Sequence, residues 1–302
     1  MAGLSALIGY IWRHPGNRGR RGAALARAAV WQVFKRVTGS SRDLRLWGGM
    51  RLRCYPDSTC ASSALYSGGL PEFDEMRFLM HYLRRGDGFL DVGANIGLYT
   101  LLASALVGTD GSVDAFEPSR REAARLRENL GLNSLVQVRV HEVAVTDREG
   151  PVRLAAGRDP TIGLDQTWHL RTGEDAEGES FEVPGIRLDD AVAGRRYALG
   201  KVDIEGAEPL ALAGAVSMLE DFNPPVWLVE LNGLLRGYGY SEVGLCDWML
   251  ARGFESTLYD SHTRRLRLEK EPWRSRPNVL FVAKSHREQV EERLRASDAN
   301  SG

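Results

Sequence analysis

Cysteine is scarce: Cys54, Cys60 and Cys246 are the only three in 302 residues, and no two stand in a Cys-x-x-Cys pair. That spacing argues against a disulfide framework and against a zinc knuckle, and makes a reducing cytoplasm the default expectation. Long apolar runs are lacking too. Leu4–Trp12 is far shorter than the roughly 20 residues needed to cross a bilayer, and no small-residue cleavage site follows it, so a secretory signal is not expected. Acidic residues are nearly missing from one end. Met1 to Arg53 holds eleven lysines and arginines against the single acid Asp43, whereas the remainder holds 28 basic and 39 acidic residues, which the net charge of -1 conceals. The length and the 43% hydrophobic content fit a single large core, not two independent ones.

The missing middle glycine of the stretch Gly88-Phe-Leu-Asp-Val-Gly-Ala-Asn-Ile-Gly-Leu-Tyr-Thr100 is the most informative gap. The stretch reads as a buried strand, Phe89 to Val92, that ends on a carboxylate, turns through Gly93 and Gly97, and enters a helix near Leu98. Such a turn lets backbone come close to a ligand and aims amide groups at it. A dinucleotide fold wants Gly-x-Gly-x-x-Gly to seat a pyrophosphate, but here Ala94 and Asn95 fill the turn and Asp91 would repel that anion. A cofactor carrying an ammonium group and a sulfonium cation suits it better, and S-adenosylmethionine is that molecule.

The next strand, Ser112 to Phe116, runs into Glu117, some 26 residues beyond Asp91, about the interval at which a doubly wound fold places its ribose acid. Pro118 stops the strand. Ser119 with Glu122 predicts a capping box for a helix to about Leu130. Further strands are expected at Val136–Val140, Lys201–Ile204, Val226–Leu231, Glu255–Tyr259 and Val279–Val282, with helices over Asp74–Leu83, Ala207–Leu219 and Ser241–Ala251. Strand alternating with helix implies a parallel sheet covered on both faces, with ligands beyond the strand C-termini. The residues at that rim are Asp91, Glu117, Asp203 with Glu205, and Glu230 with Asn232. So many carboxylates suit a cationic cofactor or a divalent metal better than a phosphate.

Three blocks, Asp91-Val-Gly-Ala-Asn-Ile-Gly97, Phe116-Glu-Pro118 and above all Lys201-Val-Asp-Ile-Glu-Gly-Ala-Glu208, resemble the FkbM family of S-adenosylmethionine-dependent methyltransferases, over about residues 67–282. The resemblance implies a Rossmann-like class I methyltransferase fold, with a seven-stranded, mostly parallel sheet and helices on both faces. It also implies methyl transfer to a hydroxyl of a macrolide-type natural product or a sugar. Carried over by motif, Asp91, Gly93, Asn95 and Gly97, flanked by Ala94 and Thr100, cradle the methionine and ribose portions. Glu117 with Pro118 takes the ribose, and Ala144 and Val145 lie by the adenine. Gly68–Glu72 departs from the family's aromatic-glutamate form, with Glu72 the candidate contact in that segment.

An alcohol is a poor nucleophile unless a base or a metal assists it. Asp203 and Glu205, which strand alternation would face to one side, are the candidate proton acceptors, and His141 is either a base or a structural group. Asp203 with Glu230 and Asn232 is a candidate magnesium set of oxygen donors. Glu208 reads as an acid favoured by a helix N-terminus. The expected domains are a basic helical arm and lead-in over 1–66, a catalytic domain over 67–285 with an inserted hairpin or lid near 150–190, and a charged, frayed tail over 286–302. Trp168, His169 and Asp165 in the lid are substrate-contact candidates. The amphipathic stretch Gly22–Val37 is expected to dock on its own domain or on a second copy, in preference to an anionic membrane surface. Asn223-Pro-Pro225 precedes a strand where an amino-methylating motif would follow one, and no basic-aromatic groove is present, so nucleic acid is not the expected partner. A small-molecule or glycan hydroxyl is. The rivals are a nicotinamide oxidoreductase, which lacks its glycine and a Tyr-x-x-x-Lys donor, and a non-catalytic scaffold, which would have little reason to keep the rim acids.

Overall fold

The computed structural model describes residues 2–158, 166–170 and 180–296. The chain opens with two helices, α1 (Ala2–Arg13) and α2 (Arg21–Thr38), then a short antiparallel pair, β1 (Arg42–Arg45) and β2 (Arg51–Cys54), and the helices α3 (Thr59–Ser67) and α4 (Phe73–Tyr82). Alternation follows: β3 (Gly88–Val92), α5 (Leu98–Val107), β4 (Ser112–Phe116), α6 (Arg120–Leu132) and β5 (Val138–His141). Next come β6 (Ala144–Val145), β7 (Gly150–Arg158), β8 (Gln166–Leu170) and β9 (Ser180–Ile186). The chain continues through α7 (Leu188–Ala191), β10 (Leu199–Val202), α8 (Glu208–Ala213), α9 (Val216–Glu220), β11 (Val226–Glu230) and α10 (Glu242–Ala251), and closes with β12 (Phe254–Asp260), β13 (Arg265–Leu268), β14 (Asn278–Ala283) and α11 (Arg287–Arg295).

The main sheet runs β13-β12-β14-β11-β10-β3-β4-β5, with β11, β10, β3, β4 and β5 parallel and β14 antiparallel to both its neighbours. Its central strands are buried along their whole length because both faces are covered, and they are apolar apart from Asp91, Lys201 and Asn278: every residue of β3, β10 and β14 is buried. Successive residues feed opposite layers. Phe89 and Leu228 pack with Phe78 and Leu101 on one face, and Leu90 and Trp227 with Leu212 and Phe254 on the other. Strand order reverses between β3 and β10, which is where a doubly wound sheet opens its ligand crevice. This is an α/β, Rossmann-like architecture, with eight strands in the main sheet where seven are expected. The eighth, β13, is an Arg-Leu-Arg-Leu edge strand whose exposed arginines blunt it against further pairing.

The inserted region contains the expected hairpin, β7 with β8, and the following segment β9 and the short β6 extend it to a second sheet, β6-β9-β7-β8. Three other elements differ from the sequence reading. The single helix expected over 207–219 is two, α8 and α9, parted at Gly214, where a β-carbon would stand 2.1 Å from the Thr146 carbonyl oxygen. The expected frayed tail is α11 up to Arg295, with Val290 and Leu294 buried and Arg293 paired to Asp87 at 2.6 Å. The capping box is half formed: Ser119 Oγ accepts from the Glu122 amide, but the Glu122 carboxylate turns to Arg121 and Arg125. The basic arm docks on its own domain. Ala24, Ala28 and Trp31 are buried, Trp31 Nε1 donates to Ser62 Oγ at 3.1 Å, and Arg27 Nε donates to the Leu65 carbonyl at 2.6 Å.

Candidate active site

A cavity of about 350 Å³ opens beyond the C-terminal ends of β3, β4, β10 and β11. At its base β3 delivers Asp91, wholly buried. One oxygen, Oδ2, accepts from Thr100 Oγ1 at 2.6 Å, and the other, Oδ1, is buried without a partner. Burial raises the Asp91 pKa, and Lys201 opposes that rise. The turn after it has left-handed backbone at Gly93 (φ 87°), Asn95 (φ 50°) and Gly97 (φ 94°). The glycines serve packing as well as conformation. A β-carbon on Gly93 would lie 1.8 Å from the Asp203 carbonyl oxygen, and one on Gly97 would lie 2.4 Å from Leu126 Cδ1. The close approach at Gly93 is therefore that of the neighbouring strand's end, which locks the two rims of the crevice together.

Glu117, at the end of β4, is buried and braces the turn: its Oε2 accepts from the Asn95 amide at 2.8 Å and its Oε1 from the Ser119 amide at 2.9 Å. It thereby takes the donor that Glu122 would have capped. Burial, only partly offset by those amides, raises its pKa to about 7. Beyond it Phe116, Pro118, Val143, Ala144, Val145 and Leu154 make an apolar slot. Ala94 also lines the cavity, whereas Gly97 caps α5 and Thr100 stands behind Asp91.

The opposite rim is built around Lys201, in register beside Asp91 on the adjacent parallel strand. Its Nζ donates to Asp203 Oδ2 at 2.7 Å and sits 4.7 Å from the centre of the Tyr99 ring. Burial alone would favour a neutral amine, but Asp203, Asp91 and Glu72 outweigh it and raise its pKa. Asp203 shows the converse. Burial pushes its pKa up, Lys201 pulls it further down, and the net shift is downward. Glu230, half-buried and facing Asp203, has its pKa raised well above the ordinary carboxyl value by desolvation and by Asp203, to which it hydrogen-bonds. Glu72 completes the ring, its Oε2 accepting from Tyr99 Oη at 2.5 Å and Asn278 Nδ2 at 3.1 Å. Asp203 and Glu205 both line the cavity, though not by strand alternation. β10 ends at Val202, Glu205 has left-handed backbone (φ 56°), and Glu208 Oε1 fastens the loop by accepting from the amides of Ile204 and Gly206.

Of the two readings of His141 the structural one fits, and the magnesium set does not form. His141 lies outside the cavity lining. Its Nε2 is 2.8 Å from buried Asp114 Oδ1, and its ring stacks on Phe116 with centroids 4.3 Å apart, so it supports the slot from behind. The magnesium set is not assembled. Lys201 already holds Asp203, the Asn232 amide donates to Glu230 Oε2 at 2.8 Å, and Asn232 Oδ1 accepts from the Leu234 amide at 3.1 Å. No group of three or more His, Cys, Asp or Glu placed to hold a metal occurs among the described residues. Asp165 and the side chains of Trp168 and His169 lie outside the described residues. Asn223-Pro-Pro225 lies at the start of β11, away from the cavity, with Asn223 bonded to the backbone of Tyr197 and Arg195.

Lys201 and Asn278 carry no role in the sequence reading, although a lysine two residues before an acid at a strand's end is a usable signal. The wall that the arm contributes is likewise not visible in the sequence. Tyr10 of α1 and Thr59, Cys60 and Ser63 of α3 line the cavity, and nothing in their spacing announces it.

The family model "Methyltransferase FkbM domain" matches residues 91–256, and the chain belongs to that family. The chain is 32% identical over 219 residues, 59% of its own length and 83% of the relative's, to the 31-O-demethyl-FK506 methyltransferase FkbM of Streptomyces tacrolimicus. Among solved structures it is similar to a methyltransferase FkbM of Methylobacillus flagellatus, at 14% identity and a TM-score of 0.42 over 85% of this chain and 58% of that one. It is also similar to a SAM-dependent O-methyltransferase of Thermotoga maritima, at 14% identity and a TM-score of 0.38 over 71% and 65% of the two chains. The chain thus spans less than two thirds of either solved relative's length.

Proposed function

We propose that the protein transfers a methyl group from S-adenosylmethionine to a hydroxyl of a sugar or natural-product acceptor. One observation carries the cofactor assignment: the unpartnered, buried Asp91 Oδ1 at the cavity base, which leaves a desolvated acceptor to be satisfied by an ammonium group. The rest of the lining fits the same molecule. Glu117 stands one strand away with acceptors for ribose hydroxyls, and the slot from Phe116 to Leu154 has the apolar lining that an adenine needs. When bound, S-adenosylmethionine supplies an electrophilic methyl carbon on a sulfonium.

The chain's own part is alignment and proton handling. Asp203, ionised beside Lys201, accepts a hydrogen bond from the acceptor hydroxyl and takes its proton once that oxygen has become strongly acidic by alkylation. Glu230, its pKa raised by burial and by Asp203, donates to Asp203 when protonated, so that the pair carries one negative charge. Naming an oxygen acceptor rests on the family resemblance and on the name of the Streptomyces relative. Incubation with methyl-labelled S-adenosylmethionine and a panel of unmethylated macrolides, glycosides and, as controls, amines and thiols tests it. Label fixed in an ether supports the reading, and label transferred only to nitrogen or sulfur overturns it.

A further inference from the structure

The first acid of the chain is Asp43; the 42 residues before it hold eight lysines and arginines, of which Arg13, Arg18, Arg20 and Arg36 are exposed on or between α1 and α2. Both helices also present apolar side chains to solvent. On α1, Leu4, Ile8 and Trp12 repeat every four residues, at 65%, 44% and 51% exposure. On α2, Val30, Val33 and Val37 are 55%, 62% and 77% exposed, and together with Ala23, Ala26 and Ala29 they lie on the side of the helix away from buried Trp31. The Arg21 guanidinium lies over the Trp12 ring at 5.0 Å, so cation and indole share one patch where the helices meet. Part of the arm's hydrophobic content is used to dock on the body, and this other part is left open to solvent among the described residues.

We propose that this outer face of α1 and α2 docks on an anionic lipid bilayer, with the helices lying in the interface plane. Apolar side chains ringed by arginine, on a segment that carries no acid, match a surface of acyl chains under negative headgroups. The charge split adds orientation. The body, with 28 basic and 39 acidic residues beyond Arg53, is repelled by the surface that attracts the arm. No helix among the described residues is long and apolar enough to cross a membrane, so the contact is peripheral. The docking helix also shapes the cavity, since Tyr10 on α1 is part of its wall.

The full chain is mixed with vesicles of pure phosphatidylcholine and with vesicles holding about 30% phosphatidylglycerol, and bound protein is measured by co-sedimentation. The expected result is at least tenfold stronger binding to the anionic vesicles, falling at least tenfold between about 0.1 and 0.5 M salt. Ile8→Glu/Val33→Glu/Val37→Glu should abolish binding while the thermal midpoint stays within a few degrees, because all three sites are exposed. Should that variant not fold, Arg13→Gln/Arg20→Gln/Arg36→Gln serves instead, with the same loss expected. Equal binding to both vesicle types, no binding to either, or variants that bind like the parent would each overturn the proposal. So would a dimer in light scattering that the glutamate variant converts to monomer, because the face would then belong to a second copy.

Discussion

Lys201 is buried among Asp91, Asp203, Glu72 and Glu230, and its ammonium decides which of these carboxyls are ionised. Removing a charge from such a set leaves its partners desolvated and unpaired, which typically costs about 3–5 kcal/mol. Lys201→Met should therefore lower the unfolding free energy measured by urea denaturation by an amount in that range, and a loss under about 1 kcal/mol would mean the cluster is better hydrated than it looks. Asp203→Asn keeps the shape and should reduce turnover by about 10²- to 10⁴-fold while cofactor affinity changes only a few-fold; wild-type turnover removes Asp203 from the chemistry. Glu117 carries a pH signature. Its folded pKa of about 7 exceeds the ordinary carboxyl value, so between about pH 4.5 and 7 the folded state holds a proton that the unfolded chain releases. That contribution to stability is present below about pH 4.5 and is lost as the pH rises through 7. Thermal midpoints of Glu117→Gln should accordingly gain on the parent from about pH 5 to 7.5; a difference independent of pH contradicts the burial argument. At this scale Asp91, Glu117, Asp203 and Glu205 were legible in the sequence because strand ends announce themselves. Lys201 was not given a role, because its burial depends on the register of β10 against β3.

Turns and helices follow the same physics over longer stretches. Gly93→Ala would place a β-carbon against the Asp203 carbonyl in left-handed backbone, and should cost at least about 2 kcal/mol, from backbone strain alone plus the clash. Gly131 is exposed inside α6, and a β-carbon added there would meet nothing within 4 Å. It behaves oppositely: Gly131→Ala should stabilise by about 0.5–1 kcal/mol. Chemical denaturation of the pair checks both signs. Trp31→Ala on α2 should cost about 3–5 kcal/mol and expose the α1–α2 segment to limited proteolysis ahead of the body; uniform cleavage would mean the arm is not a separately docked unit. The parallel strands were legible because continuous apolar runs between turn residues have few other meanings. β13 and α11 were not. An Arg-Leu-Arg-Leu strand has no apolar run, and α11 shows only Val290 and Leu294 at helical spacing among nine otherwise polar residues. The split of α8 from α9 depends on a carbonyl of Thr146, 68 residues earlier in the chain, and no local pattern records it.

In the whole molecule the charge asymmetry and the crevice are complementary. A sheet whose order reverses between β3 and β10 gathers its acids at one edge, and a basic arm folds back to supply Tyr10 and, through α3, Ser63 to the same wall. The fold class could be read from alternation, but the arm's place in the cavity could not, because it depends on tertiary docking through Trp31 and Arg27. Asp91, buried and with one oxygen unpartnered, is on this reading the seat of a cationic amino-acid cofactor. Isothermal titration of S-adenosylhomocysteine into the wild-type chain and into Asp91→Asn decides the matter. Micromolar binding to the wild type and a loss of at least tenfold in the variant are expected; equal affinities, or a wild type that prefers a nicotinamide dinucleotide, would overturn the reading.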